Sequence, residues 1–233
     1  MKESNIYEKN FHHYAAQDDS LARVLNSGVL RVCTTGDYPP LTQFSRGEYH
    51  GRAIRDAESL AKYLKVRLKF IKTTWPNLSK DVASHKCDIA MGGISRTPSR
   101  AKNFLLTKNI FAFGKVALVR CDDVKKYDSL QKINKPNVRV VENIGGTNAK
   151  FAQKNLPNAK IIYVKNNELP FLYLLHNDAD VMITDSTEAV YKQKTMPGLC
   201  AVNPEKPYTK GYKVYMLPKG SNNLLDAIYT WRP

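Results

Sequence analysis

Hydrophobic and polar positions along this chain follow two rhythms that take turns. Leu21 to Leu25 reads as a short helix that Asn26-Ser27-Gly28 stops. Leu30-Arg31-Val32-Cys33-Thr34-Thr35 reads as a strand, and Gly36-Asp37-Tyr38-Pro39-Pro40 as the loop at its end. After a turn at Glu48-Tyr49-His50-Gly51, Ile54, Ala57, Ala61 and Leu64 recur at helical spacing. Val66, Leu68 and Phe70 then alternate as a strand does, and Trp75-Pro76-Asn77 opens a short helix through Leu78 and Val82. Ile89-Ala90-Met91 is a short apolar run, read as a buried strand that breaks at Gly92-Gly93. The order strand, helix, strand, helix, strand predicts an open parallel α/β sheet.

The segment from Asn109 to Cys121 is extended, longer than most strands, and has Gly114 in its middle. A connector between two lobes has this character. A second series follows. Strands are expected at Val138 to Glu142, Ile161 to Val164 and Val181 to Thr184, and helices at Ala149 to Leu156 and Leu169 to Leu175. Asp185-Ser186-Thr187-Glu188 opens a further helix. Pro204 to Lys210 reads as a return crossing, Tyr212 to Leu217 as a strand, and Leu224 to Trp231 as the start of a last helix. The expected division is an arm over 1–20, a discontinuous lobe over 21–113 plus 205–233, and a second lobe over 114–204.

In open α/β sheets ligands sit beyond the carboxyl ends of the strands. Asp37, Trp75 and the stretch Ser95 to Arg100 follow such ends and converge on one crevice. Thr97-Pro98 suits a helix start, with Thr97 as N-cap and Pro98 at the first helical position. Arg100 follows on the first turn. A strand end, the Ser95 hydroxyl and a guanidinium together make a carboxylate receptor, since arginine binds carboxylates bidentately. In the second series Gly145-Gly146-Thr147 precedes a helix, so its N–H groups and hydroxyl suit an anion. Asp185 and Glu188 lie three residues apart at a helix start, on adjacent turns of one face.

Composition narrows the function classes. The 233 residues carry 36 Lys and Arg against 21 Asp and Glu, a net charge of +15. The lysines are scattered and form no tract longer than a pair, and no nucleic-acid motif is present. The excess reads as a solvated basic surface that attracts small anions. No apolar run reaches membrane-spanning length. Met1 to Ser20 is polar without a leader's apolar core, which leaves a cytoplasmic protein or one read from after its cleavage site. His12-His13 has no further ligands at useful spacing, so no metal is expected. Of four cysteines, Cys33 and Cys87 fall in expected buried strands and read as small hydrophobes. Cys121 and Cys200 each end a strand and pair if the compartment is oxidising.

Several stretches together resemble a known family. They are Leu30-Arg31-Val32 with Thr34-Thr35-Gly36-Asp37-Tyr38, Trp75-Pro76-Asn77-Leu78, Asp88-Ile89-Ala90-Met91 with Gly93-Ile94-Ser95, Gly145-Gly146-Thr147-Asn148, Thr184-Asp185 with Glu188-Ala189, and Leu199-Cys200-Ala201-Val202. The chain resembles the type II periplasmic amino-acid-binding proteins, and more closely their enzymatic relatives, the cyclohexadienyl (prephenate/arogenate) dehydratases. The resemblance runs from about Leu30 to Trp231. It implies an α/β, two-lobed fold, with two Rossmann-like lobes joined by two crossing strands, and a periplasmic location. It implies that Ser95 and Arg100, aided by Thr147, hold a ligand carboxylate, that Asp185 holds an α-amino group, and that Glu188 donates a proton. Relatives follow the turn glycine with Phe-Asp-Val-Asp and continue past Trp231 with further helix. Here Gly51 precedes Arg52-Ala53-Ile54-Arg55, so both acids are gone.

The expected chemistry is cofactor-free loss of CO2 and water from prephenate or arogenate. The departing hydroxide needs a proton, so Glu188 must be protonated near neutral pH. Burial and Asp185 raise its pKa, and the helix N-terminus opposes them. Trp75 is the expected apolar wall for the ring, and Lys115 meets the second carboxylate unless it is simply solvated. The competing readings are a non-catalytic amino-acid-binding protein of a transporter and a degenerate paralogue.

Overall fold

The computed structural model describes residues 18–232, so the His12-His13 pair and most of the expected arm lie outside them. The first lobe begins with α1 (Ser20–Ser27) and β1 (Val29–Thr34). A small antiparallel sheet of β2 (Asp37–Tyr38), β3 (Thr42–Ser45) and β4 (Glu48–His50) follows. Next come α2 (Arg52–Leu64), β5 (Arg67–Lys72), α3 (Leu78–Ala83), β6 (Ile89–Ser95), α4 (Pro98–Asn103), β7 (Phe104–Leu106) and β8 (Phe111–Phe113). The second lobe holds β9 (Lys115–Arg120), α5 (Leu130–Ile133), β10 (Arg139–Asn143), α6 (Thr147–Asn155), β11 (Lys160–Val164) and α7 (Leu169–Leu175). It ends with β12 (Val181–Asp185), α8 (Ser186–Thr195) and β13 (Leu199–Val202), and the chain returns through β14 (Gly211–Pro218) and α9 (Asn222–Trp231).

Each lobe is built on one sheet. The first has the order β5-β1-β6-β14-β7 with β8 also on β14, the second β11-β10-β12-β9-β13. The sheets are mixed rather than wholly parallel. The βα repeats give the parallel neighbours β5-β1-β6 and β11-β10-β12, while β14 and β9 enter antiparallel because each is a crossing strand arriving from the other lobe. Helices cover both faces of both sheets. Leu30, Val32, Leu60 and Met91 pack on one side of the first sheet, and Cys33, Val82, Ala90 and Met216 on the other. In the second, Leu118, Phe171 and Met182 oppose Val119, Ile133, Val140 and Ile183.

Antiparallel register positions the chemistry. Lys115 at the start of β9 stands opposite Asp185 at the end of β12, and Lys213 in β14 stands opposite Ser95 at the end of β6. Both pairs lie at the rim where the lobes face each other.

All four cysteines are paired. Cys121–Cys200 ties β9 to β13, as an oxidising compartment predicts. Cys33–Cys87 corrects the sequence reading of two small hydrophobes. Each is fully buried as expected, but β1 and β6 are neighbours with Cys33 opposite Ala90, so Cys87 arrives beside Cys33. Strand adjacency is a tertiary fact that one strand's pattern does not carry.

The extended segment at 109–121 is two strands, broken at Gly114. Gly114 and Ser186 exchange two hydrogen bonds, at 2.8 and 3.2 Å. Lys115 N donates to Thr209 Oγ1 at 2.9 Å, and Tyr208 N donates to Lys115 O at 2.8 Å. The outward and return crossings are therefore bonded to each other. A Cβ on Gly114 would lie 2.0 Å from Thr209 O and 2.5 Å from Pro207 Cβ. Gly114→Ala should force the crossings apart and destabilise the protein by about 1–3 kcal/mol, the usual cost of overpacking. Denaturant unfolding checks this, and a midpoint equal to wild type would mean that the crossing yields freely.

Candidate functional site

The stretch from Ser95 to Arg100 has the helix start its sequence predicts. Thr97 caps α4 by accepting from Arg100 N at 3.1 Å, with Pro98 in the first turn. The cap turns the Arg100 side chain back toward the strand, where Nη1 donates to Ser95 O at 2.8 Å. Burial lowers the Arg100 pKa and Asp185 offsets part of that, yet a guanidinium stays charged. The close approach allowed at Gly93 is used by the protein itself, because a Cβ there would lie 2.5 Å from the Tyr38 ring.

Asp185 is the centre of the cleft. It is 2% exposed and occupies the N-cap position of α8, where its side chain makes no capping hydrogen bond. Lys115 Nζ donates to its Oδ1 at 2.7 Å and Lys213 Nζ to its Oδ2 at 2.5 Å. The Tyr38 hydroxyl also donates to Oδ2. Lys115 further donates to Thr147 Oγ1 at 2.7 Å and Asn148 Oδ1 at 2.5 Å. Lys213 further donates to Gly93 O at 2.9 Å and Ser95 Oγ at 3.0 Å. Burial pushes the Asp185 carboxyl up, but Lys213 and Lys115 together outweigh it and hold the group well below its usual range. Burial in turn lowers Lys213 to about 8, with Asp185 working against that shift, so Lys213 is mostly charged at neutral pH. An ammonium cannot accept, so Ser95 and Thr147 are acceptors toward the lysines and keep their own protons free to donate to an anion.

Glu188 lies in the first turn of α8 and is fully buried. Its Oε1 accepts from Thr184 Oγ1 at 2.8 Å, and its Oε2 has no partner among the described residues. Burial raises its pKa to about 8, opposed by the Thr184 hydroxyl and aided by Asp185. The sequence left burial and the helix N-terminus in competition, and here burial wins. Glu188 is protonated at neutral pH. It is not on the wall of the cavity that remains in the cleft, where Asp185 and Tyr38 stand instead.

The other expected residues divide. Trp75 lines the cleft, edge-on to Tyr38 with ring centres 6.0 Å apart. Asp37 accepts from Trp75 Nε1 at 3.1 Å and faces a neighbouring open cavity. It braces the tryptophan and is off the cleft wall. Lys115 is 5% exposed, which excludes the solvated reading. Gly145, at φ +96°, is pressed on Pro76, so this glycine serves contact between the lobes. Ala53, in place of the usual acid, is buried in the first core.

Sequence reasoning missed Lys213, the Tyr38 side chain, Asn148 and the cleft-lining Asn143 and Asn167. One signal was present for Lys213. It is a lysine within the strand Tyr212 to Leu217, and it is 1% exposed. The remaining cavity is about 20 Å³, room for roughly one water. The lobes are therefore closed.

Comparisons with known proteins agree with this architecture. The chain is 38% identical over 205 residues to the cyclohexadienyl dehydratase of Pseudomonas aeruginosa, covering 88% of this chain and 76% of that protein. It is 23% identical over 217 residues to the L-cystine-binding protein TcyJ of Escherichia coli, covering 91% and 79%. Among solved structures, the ancestral amino acid-binding protein AncCDT-1, described as a precursor of cyclohexadienyl dehydratase, superposes with a TM-score of 0.86 at 33% identity over 91% of both chains. A variant of an ancestral cyclohexadienyl dehydratase, AncCDT-3, is 46% identical with a TM-score of 0.54, covering 94% and 91%. Residues 30–231 match the bacterial extracellular solute-binding proteins, family 3, and the chain belongs to that family.

Proposed function

We propose that this protein is a cofactor-free cyclohexadienyl dehydratase, a carbon–oxygen lyase acting on prephenate or arogenate. The observation that carries the reading is Glu188, a fully buried acid with one free oxygen, protonated at neutral pH beside a cleft of cations. The 38% identity to the Pseudomonas aeruginosa enzyme supports it. In this reading Arg100, Ser95 and Thr147 hold carboxylates and Trp75 flanks the ring. The bond from ring carbon to carboxylate breaks to release CO2, and its electron pair forms the new ring double bond. The C–O bond to the 4-hydroxyl breaks at the same time, and the hydroxide leaves as water with the proton from Glu188. Solvent reprotonates Glu188 when the lobes open. Two disulfides and the extracellular family support a periplasmic location.

Glu188→Gln keeps the size of the acid but cannot release a proton. Turnover of prephenate should fall on the order of 10²–10⁴-fold with little change in KM. Wild-type turnover should fall as pH rises through about 8, because only protonated Glu188 is competent. The residual turnover of the variant should lack that limb. Equal turnover in the two proteins would remove Glu188 from the chemistry. Tight amino-acid binding by an inactive wild type would make the protein a receptor.

Arg100→Ala should weaken carboxylate binding by roughly 2–5 kcal/mol, the cost of removing one partner of a buried charge pair. Calorimetry on the Glu188→Gln background reads this with turnover suppressed, and unchanged affinity would take Arg100 out of the receptor.

The lobes in this proposal are residues 21–113 with 205–233 and residues 114–204, hinged at the two crossings. A cavity of about 20 Å³ cannot admit the substrate, so the lobes must open to load it. Small-angle scattering should show a larger radius of gyration without ligand than with it. An identical radius with binding confirmed would argue against hinge loading.

A further inference from the structure

A second cavity lies in the first lobe, apart from the cleft. It holds about 140 Å³ and shares no lining residue with the cleft. Four pieces of chain form it: the segment 107–110 between β7 and β8, Tyr215 of β14, the end of α9, and Arg52 at the start of α2.

Its floor is apolar. Tyr215 and Ile228 are buried, and Ile110 and Trp231 pack on the same core. The polar ends of two of its rings are already used. Tyr215 donates its hydroxyl to Asp56, and Trp231 Nε1 donates to Ser59 Oγ at 3.1 Å. These rings therefore offer a ligand apolar surface and no donor.

Three cations line the cavity, Arg52, Lys108 and Arg232, and no acid does. Arg232 is committed to Asp56, to which Nη1 and Nη2 donate at 2.8 Å each, so that pair is neutral. Arg52 and Lys108 have no ion-pair partner among the described residues. They rest on rings instead, the Arg52 guanidinium 5.1 Å from the centre of Phe111 and Lys108 Nζ 5.0 Å from that of Tyr229. The cavity thus carries an excess of two positive charges.

The wall at 107–110 is fixed in place. Arg96 donates to Thr107 O and to Asn109 Oδ1, the latter at 2.8 Å. Tyr215 N donates to Thr107 Oγ1 at 3.0 Å, and Ile110 N to Lys213 O at 2.9 Å. A wall already ordered loses little entropy when a ligand binds.

We propose that this cavity is a second ligand site, for small aryl carboxylates: the ring enters between Tyr215, Tyr229 and Trp231, and the carboxylate meets Arg52 and Lys108 at the rim. The volume is close to the roughly 150 Å³ of an apolar cavity that takes up benzene. A guanidinium matches a carboxylate in charge and shape. An inorganic anion leaves the rings unused, and an uncharged arene leaves both cations unused. Phenylpyruvate, a product in the dehydratase reading, belongs to this class, but the site rests on its own residues and not on that reading.

The chain's two tryptophans make the test direct, since Trp75 lines the cleft and Trp231 lines this cavity. In a Trp75→Phe, Arg100→Ala protein the cleft has lost its arginine, and Trp231 is the one tryptophan left to report. Phenylacetate should change its fluorescence saturably. Phenylacetamide lacks the charge and acetate lacks the ring, and each should bind about tenfold more weakly or worse. Adding Arg52→Ala and Lys108→Ala, both at exposed positions, should weaken phenylacetate by about tenfold. No saturable response at millimolar phenylacetate overturns the proposal. So does equal affinity for phenylacetamide, and so does unchanged affinity once Arg52 and Lys108 are removed. Absence of prephenate turnover in the wild type would discard the dehydratase reading and leave this site standing.

Discussion

The buried carboxylate of Asp185 is the constraint to which the cleft answers. A charge 2% exposed is costly unless its partners are close and complete. Two lysines and a tyrosine meet that need, and they come from separate parts of the chain. Lys115 is delivered by the β9–β12 register within the second lobe. Lys213 and Tyr38 are delivered by the first lobe, across the cleft. One carboxylate thus stabilises its own lobe's sheet edge and the closed arrangement of both lobes. Asn167 Nδ2 donating to Asp37 O at 3.0 Å and Gly145 against Pro76 are further contacts between the lobes, and neither brings charge.

Asp185 and Glu188 show how environment divides two acids one helical turn apart. Both are buried and both stand at the start of α8, where the helix favours negative charge. Asp185 has two ammonium groups on its oxygens and stays ionised. Glu188 has a hydroxyl on one oxygen and nothing on the other, and it stays protonated. The ionised Asp185 raises the pKa of its neighbour further. Lysines that fix the charge of one acid therefore help keep the other neutral, an arrangement suited to general-acid chemistry.

What was legible in the sequence follows from how local each signal is. Strand and helix rhythms and the Thr97-Pro98 cap are written within a few residues, and the structure has them. The placement of Ser95, Arg100, Thr147 and Asp185 at strand ends was legible because topology sends such ends to one side. Cys33–Cys87 was not, since pairing depends on which strands are neighbours. Lys213 was not, because a lysine in a strand ordinarily reaches solvent, and only the facing lobe turns that position into an interior. Lys115 had the same ambiguity, and Thr147, Asn148 and Asp185 of its own lobe resolve it.

The two lysines also set what the cleft can present to a ligand. Each uses all three of its protons on the protein, so neither is a free donor. Their effect passes through the hydroxyls they hold. Lys115 fixes Thr147 and Lys213 fixes Ser95 as acceptors toward the protein, which leaves both O–H groups available as donors. With Arg100 beside Ser95, the cleft then presents hydroxyl and guanidinium donors to an anion. Lys213 and Asp185 stand on different lobes, so that donor set depends on the contact between them. The Asp185–Lys213 contact thereby joins the two lobes to the donor set of the cleft.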